Sequence, residues 1–432
     1  DASYDYRDFL DGVRANLVPT LLVDTTFVEA ASDSALARLD DEDEAPDLAV
    51  GRLPVETPEQ LRGVVAKLLA YENEPDRGDA WRRRALLVAD DGLGAADPVE
   101  QRAFEGALDR VAGHAPPSFE LTRVMLSDLA DPTEGEAANR EIRGELESGA
   151  AMAIYAGHGG SRLWADELIF GAVDFDTLAN PHMPLFVVLN CLNGFFDAPN
   201  EESLGEVVLE APDRGGIGMI SSTTVSAFAG QDAFASALAR RILQQNERRV
   251  GDAMRHALGS LADLPGAEDV QRSYVLLGDP ATRLAMPQTP VADAGTPREV
   301  RVAEGLRLDG SGSHAPGGGP LHYTWRVVEE PRADSAILID RDDPARPTFV
   351  GLAPGLYALE LMVHDAAGNR SAPDRLLLSV TPAPSVLGCG GPDATQPPPR
   401  VAGGDALYLL VPLLTSFALR RRVARSRPRA SA

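Results

Sequence analysis

Lysine is almost absent from this 432-residue chain: Lys67 stands alone beside 39 arginines. The skew reads as composition, and no mechanism is drawn from it. Cysteine is nearly as scarce, with only Cys191 and Cys389. That count excludes a disulfide framework, so the fold must rest on its own core. A hydrophobic content of 44% over this length supplies a large core and predicts two or more domains. Positive charge is also in deficit. The formal net charge is -25, and Arg420, Arg421, Arg422, Arg425, Arg427 and Arg429 lie in the last 13 residues, leaving residues 1–419 at -31. So acidic a body repels phosphate backbones and argues against nucleic acid as a partner. The same acidity suits calcium, basic substrates or simply a solvated surface. Long apolar runs are missing too. Ala406 to Leu419 is apolar apart from Thr415 and Ser416, but its 14 residues fall short of the roughly 20 that span a bilayer. His182, His256, His314, His322 and His364 show no metal-ligand spacing.

What is present is a pair of short glycine-flanked stretches, Tyr155-Ala156-Gly157-His158-Gly159-Gly160 and Leu189-Asn190-Cys191-Leu192-Asn193-Gly194. Each follows a continuous apolar run, Ala151–Tyr155 and Leu185–Leu189, of the kind that forms central strands of a parallel sheet covered on both faces. Ligands bind beyond the carboxyl ends of such strands, so His158 and Cys191 are expected to meet there, their separation of 33 positions leaving room for one crossover helix. A thiol becomes a strong nucleophile when a neighbouring imidazole takes its proton. Cys191 is therefore the candidate nucleophile and His158 the candidate base. Gly159, free of a side chain, can offer its main-chain N–H with that of Cys191 to a developing oxyanion. Taken singly, a buried thiol and a glycine-flanked histidine are ordinary features; their order and context favour catalysis. Ala85–Ala89 reads as a further strand ending in Asp90-Asp91. One of these carboxylates is a candidate to orient the imidazole, the alternative being a solvated turn. Gly215–Ile220 reads as the strand after Cys191, followed by Ser221, Ser222 and Thr223 as a candidate substrate-pocket loop. Trp164 either faces substrate or packs beneath the histidine loop.

These segments resemble the gingipain-like cysteine peptidases. Pro46–Val55 followed by Lys67–Glu72 resembles the end of that family's first subdomain, and Leu276-Leu277-Gly278-Asp279-Pro280-Ala281 resembles its closing signature. The likeness runs over about residues 1 to 286. It implies a caspase-like α/β fold, a parallel-sheet sandwich that is incomplete at its N-terminus, because Asp1–Tyr6 resembles the stretch just after a strand inside the first subdomain. It also implies peptide-bond hydrolysis through a Cys191 thioester. No position matches an acidic pocket floor, so a preference for arginine or lysine is not carried over. The family's structural calcium is compatible with the acidic body, although no loop shows a ligand spacing, and no other cofactor is required.

After Met286 the character changes. Prolines mark a linker, and short strand-like runs such as Leu321–Val327 and Gly355–Val363 alternate with turns, predicting a small all-β sandwich. Asp293-Ala294-Gly295, Leu308-Asp309-Gly310-Ser311, Tyr323-Thr324-Trp325 and Val363-His364-Asp365 resemble the polycystic-kidney-disease type of immunoglobulin-like repeat, a spacer or a binding module. Gly388-Cys389-Gly390-Gly391, the apolar segment and the arginine cluster resemble bacterial C-terminal sorting signals. Cys389 would then be a processing or attachment point for a sorting enzyme; the alternative is an ordinary tail anchor held with its C-terminus inside. Either way the body lies outside the inner membrane.

The expected organisation is thus residues 1–80 (end of a first subdomain), 81–286 (catalytic subdomain), 287–383 (β-sandwich), 384–405 (linker) and 406–432 (anchor or sorting tail). The expected function is that of a secreted or surface-anchored cysteine endopeptidase acting on proteins or peptides. A transpeptidase using the same thioester is one alternative, and a non-catalytic adhesion scaffold another.

Overall fold

Apolar runs only four to six residues long are the sequence mark of buried strands, and in the computed structural model they assemble into one central sheet. The structure describes residues 18–40, 44–73, 80–92, 98–129, 135–198, 201–262, 264–339 and 343–382. Strands β1 (Leu21–Asp24) and β2 (Glu29–Ser32) form an antiparallel ribbon, followed by helix α1 (Pro58–Asn73). Then come β3 (Arg84–Ala89), α2 (Pro98–Ala112), β4 (Glu120–Met125), α3 (Glu136–Ser148) and β5 (Met152–Ala156). A hairpin of β6 (Leu163–Trp164) and β7 (Phe170–Gly171) precedes β8 (Leu185–Leu189), α4 (Leu204–Glu210) and β9 (Gly218–Ser222). Helices α5 (Phe228–Ala239), α6 (Val250–Gly259) and α7 (Glu268–Ser273) lead to β10 (Tyr274–Gly278).

The central sheet has the order β10-β9-β8-β5-β3-β4. It is parallel from β9 to β4, as the apolar runs predict, but β10 pairs antiparallel with β9, so the sheet is mixed. Its two faces carry separate cores. One is built from α1, α2, α5 and α6, where α2 buries Phe104, Ala107, Leu108 and Val111 at helical spacing. The other gathers Ile142 and Leu146 of α3 with Trp164, Ile169, Phe170, Phe175 and Val208.

The register of the middle strands sets the site. Ala89 pairs with Ala156, and Ala156 with Leu189. Asp91, His158 and Cys191 therefore each stand two residues beyond a shared row. Main-chain bonds carry the ladder past the strand ends, with Asp90 N–H donating to Ala156 O (3.0 Å) and Gly157 N–H to Leu189 O (3.1 Å). The connection between β5 and β8 departs from expectation. It is the β6–β7 hairpin and a 3-10 turn over Ala172–Asp176, not a crossover α-helix. The reason lies in its side chains: the aromatic and aliphatic residues of this stretch fill the second core without helical periodicity.

Two buried polar ties join the early segment to the sheet. Arg52 and Asp33 pair at 2.6 Å, both nearly sealed from water, while Arg52 exchanges main-chain bonds with Leu276 and Gly278 at the β10 edge. The chain's one lysine, Lys67 on α1, points its ammonium at the carbonyls of Val208, Leu209, Ala211 and Arg214, where α4 ends. Lys67 thereby serves as the C-terminal cation of α4. Burial pulls its amine down to about 7, against the attraction of Glu210 and Asp213.

Beyond Met286, β11 (Arg298–Arg301), β12 (Gly305–Arg307), β13 (His322–Glu329), β14 (Ala336–Ile339), β15 (Thr348–Gly351), β16 (Gly355–His364) and β17 (Asp374–Thr381) form sheets β11-β17-β16-β13 and β12-β15-β14. Phe349, Tyr357, Leu359, Leu361 and Leu378 lie at their core, with Trp325 packed against it. Gln244 at the end of the α5 region donates to Pro373 O and Asp374, linking this sandwich to the α/β part. Among the described residues no helix is long and apolar enough to cross a membrane. Residues 383–432, with Cys389, the apolar segment and the arginine cluster, lie outside the described residues.

Replacing Lys67 with Met keeps the stem and removes the donors from four carbonyls. Thermal and denaturant unfolding of Lys67→Met are expected to show a loss of about 1–3 kcal/mol, the range for leaving buried acceptors without their donor; a change well below 1 kcal/mol would show that water replaces the amine freely.

Candidate active site

His158 is delivered by the end of β5 and is half-buried. Its main-chain N–H donates to Asp90 Oδ2 (2.8 Å), and its carbonyl accepts from the hydroxyl of Tyr155 (2.6 Å). The ring is held from one side by α2. Its Nε2 lies 3.1 Å from Glu100 Oε2, and Phe104, one helical turn further on, meets the imidazole edge-on at 5.4 Å. A carboxylate at this distance fixes the ring and stabilises an imidazolium. Asp90, one of the two carboxylates considered as orienters of the imidazole, instead grips the main chain beneath it, and the other, Asp91, donates its own N–H to Asp90 Oδ1 (2.8 Å). Burial raises both carboxyls above the usual carboxylate range; the His158 N–H opposes this at Asp90, whereas the charge of Asp90 adds to it at Asp91.

Cys191 follows β8 and is partly exposed as a free thiol. Burial pushes the thiol up, and the Ser226 N–H opposes the shift. The next residue, Leu192, has a φ of 69°. A left-handed leucine is uncommon and turns the chain sharply away after the cysteine. This turn is held by Leu192 N–H to Thr224 O and Gly194 N–H to Ser222 O (2.9 Å).

A polar clamp joins the two loops. Asn193 donates to Gly160 O at 2.6 Å, while its Oδ1 accepts from Trp164 Nε1 (2.9 Å) and Asn190 Nδ2 (2.8 Å). Gln231 of α5 holds Asn190 O (3.2 Å) and Ser226 Oγ (2.9 Å). Asn190, Asn193 and Gln231 are all buried. A buried amide network with several partners of this kind specifies one loop arrangement. Sequence reasoning did not single out Glu100, Asn193 or Gln231. Asn193 carried a signal, since its amide lies two residues past the candidate nucleophile. Glu100 carried none beyond its place in the first turn of an amphipathic helix.

The remaining candidates are interior. Trp164 is fully buried, stacked on Tyr155 at 4.4 Å with its N–H in the clamp, which is the packing alternative given above. Ser221 and Ser222 belong to β9 itself. Ser222 bonds Thr224 O and Ser273, and Thr223 donates to Ala31 O. Ser221, Ser222 and Thr223 are buried, so their side chains face packing and not a ligand cleft.

Gly159 has no space for a side chain: a Cβ would stand 2.2 Å from Asn190 Nδ2 and 2.7 Å from Leu163 O. Gly159→Ala is expected to lower stability by about 1–3 kcal/mol, the range for overpacking, and to loosen the histidine loop. Unfolding measurements and hydrogen exchange over residues 157–165 check this.

A model of peptidase family C25 matches residues 1–285. Lys-gingipain HG66 of Porphyromonas gingivalis is 23% identical over 241 residues, which is 53% of this chain and 13% of that protein. Gingipain R2 of the same species is 22% identical over 261 residues, 58% of this chain and 34% of that protein. The chain thus spans a minor part of the curated relatives it matches. The crystal structure of the Arg-specific cysteine proteinase gingipain R aligns with a TM-score of 0.48 at 17% identity, covering 82% of this chain and 79% of that one. A solution structure of the PKD domain from KIAA 1837 protein covers 21% of this chain and 85% of that one, with a TM-score of 0.18 at 27% identity. With 285 of 432 residues matched by the family model, the chain belongs to peptidase family C25.

Proposed function

We propose that this protein is a cysteine endopeptidase in which Cys191 is the nucleophile and His158 the base. The observation that carries the reading is the delivery of both residues two positions beyond paired residues of adjacent parallel strands, with the imidazole backed by Glu100. Because burial holds the thiol protonated, the sulfur depends on His158 for activation. The thiol proton passes to the imidazole as sulfur attacks the scissile carbonyl, and Glu100 stabilises the imidazolium so formed. The main-chain N–H groups of Gly159 and Cys191 are the proposed oxyanion donors. His158 returns the proton to the leaving amine, and water, deprotonated by the same ring, hydrolyses the thioester. Substrates would be proteins or peptides outside the cytoplasm. Export and retention at the cell surface by the C-terminal tail are part of the same proposal.

A panel of peptidyl acyloxymethyl ketones, with the adduct mapped by mass spectrometry, tests the assignment. Labelling is expected at Cys191 in the wild type and none in Cys191→Ala. His158→Ala should slow labelling by about 10²–10⁴-fold at neutral pH, and Glu100→Gln by less. The pH profile gives the sign. With the thiol's own titration raised and no base to help it, the residual rate of His158→Ala should climb as pH rises past the ordinary cysteine range, while the wild type already reacts at neutral pH. Equal labelling of wild type and His158→Ala at neutral pH, or none in folded wild type, would overturn the reading and favour a binding scaffold.

A further inference from the structure

We infer that the peptidase proposed above cuts after an apolar residue, and that Val225 and Phe228, in the segment that follows β9, receive that side chain. The inference rests on the assignment of Cys191 as nucleophile and names the substrate class that the thiol serves. Three contacts run this segment alongside the cysteine turn. Leu192 N–H donates to Thr224 O (3.4 Å), the Ser226 N–H reaches the Cys191 thiol, and Gln231 holds both Asn190 O (3.2 Å) and Ser226 Oγ (2.9 Å). Between the first two contacts stands Val225, which is 38% exposed although its neighbours Thr224 and Ser226 are buried. Phe228 opens α5 half-buried, its ring edge-on to Phe104 at 4.8 Å, and Phe104 in turn meets the imidazole of His158. An apolar surface thus extends from beside the sulfur towards the base. The polar run Ser221–Thr223 is interior, so the chain opens to solvent beside the thiol only from Val225 onward.

The reaction assigns the side of the substrate. Its acyl half stays on the sulfur, while its amine half leaves with a proton from His158. The wall that touches the thiol therefore faces the acyl half, and the residue just before the scissile bond is the one it meets.

Charge then selects the residue type. Residues 215–231 contain no charged residue and no histidine. Asp232, the next acid along the chain, pairs with Arg110 at 2.6 Å. Glu100 is engaged by the imidazole, and Asp90 and Asp91 are buried beneath the histidine loop. An arginine or lysine laid against this wall gives up water without gaining a counter-charge, whereas leucine or phenylalanine gains from the same burial. The net charge of -25 still attracts basic substrates at range, but that attraction is screened over about 8 Å at physiological salt. Discrimination between bound substrates is made at contact.

Peptidyl acyloxymethyl ketones that share one warhead and differ only in the residue beside it test this on the full chain, with the rate of Cys191 labelling read by intact mass. Leucine and phenylalanine probes are expected to label at least about tenfold faster than arginine, lysine or aspartate probes. Val225→Asp and Val225→Arg, each checked for fold by near-ultraviolet circular dichroism, should move the ratios in opposite directions. The first gains at least about tenfold for arginine relative to leucine, and the second a similar factor for aspartate. A packing defect alone slows every probe alike and leaves the ratios where they were. Arginine or lysine probes that label Cys191 as fast as leucine overturn the inference and leave the nucleophile standing, as do unchanged ratios in both folded variants. No labelling of folded wild type by any probe overturns both.

Discussion

The register of three parallel strands is the constraint on which the rest depends. Because Ala89, Ala156 and Leu189 lie in one row of the sheet, whatever stands two residues later on each chain is brought to the same edge. Parallel pairing makes this possible, since all three strands end on the same side. A slip of one residue in β5 or β8 would turn their buried side chains to the opposite faces and break both cores. Packing on the two faces therefore fixes the register, and the register fixes which residues share that edge.

Sheet register alone leaves the loops beyond it free, and here the buried amides act. Asn193 ties the turn after Cys191 to Gly160 and Trp164, and Gln231 holds Asn190 from the α5 side. The glycine between the histidine and this clamp is imposed by contact, since the Asn190 amide occupies the place of a Cβ. On the other flank, α2 places Glu100 and Phe104 against the imidazole. The histidine loop is thus held by main-chain bonds below, a carboxylate and an aromatic edge on one side, and amides on the other. By contrast, the thiol receives little electrostatic help of its own and is raised by burial. In the proposed mechanism the burden of activation therefore falls on His158.

Much of this was legible in the sequence wherever one local rule suffices. The apolar runs before His158 and Cys191 are buried on both faces, so continuous hydrophobicity named them as central strands. The glycine after His158 reads as leaving room for an oxyanion donor, whereas the contact that excludes a side chain there is with the Asn190 amide. Features that depend on long-range contact were not legible. The segment between β5 and β8 carries enough residues for a helix, yet its Trp164, Phe170 and Phe175 are spaced to fill a core and not to line a helical stripe. Ser221, Ser222 and Thr223 resemble an exposed polar loop, but partners from Ala31 and Ser273, distant in sequence, satisfy Ser222 and Thr223 in the interior. Glu100 lies 58 residues before the histidine it meets, and no spacing rule links the two. Asp90 was legible as a neighbour of His158, but whether a carboxylate grips ring or main chain is decided within an ångström or two, below what a sequence specifies.

The central claim is that the shared register makes His158 and Cys191 one catalytic unit that passes through a thioester. The most direct measurement is rapid-quench intact-mass spectrometry of the protein mixed with an activated peptide ester. The account predicts that an acyl adduct accumulates on Cys191 within the first turnover and decays with product release, and that it forms far more slowly when His158 is alanine. Product formation with no acyl adduct, or an adduct formed at the same rate without the imidazole, would contradict it.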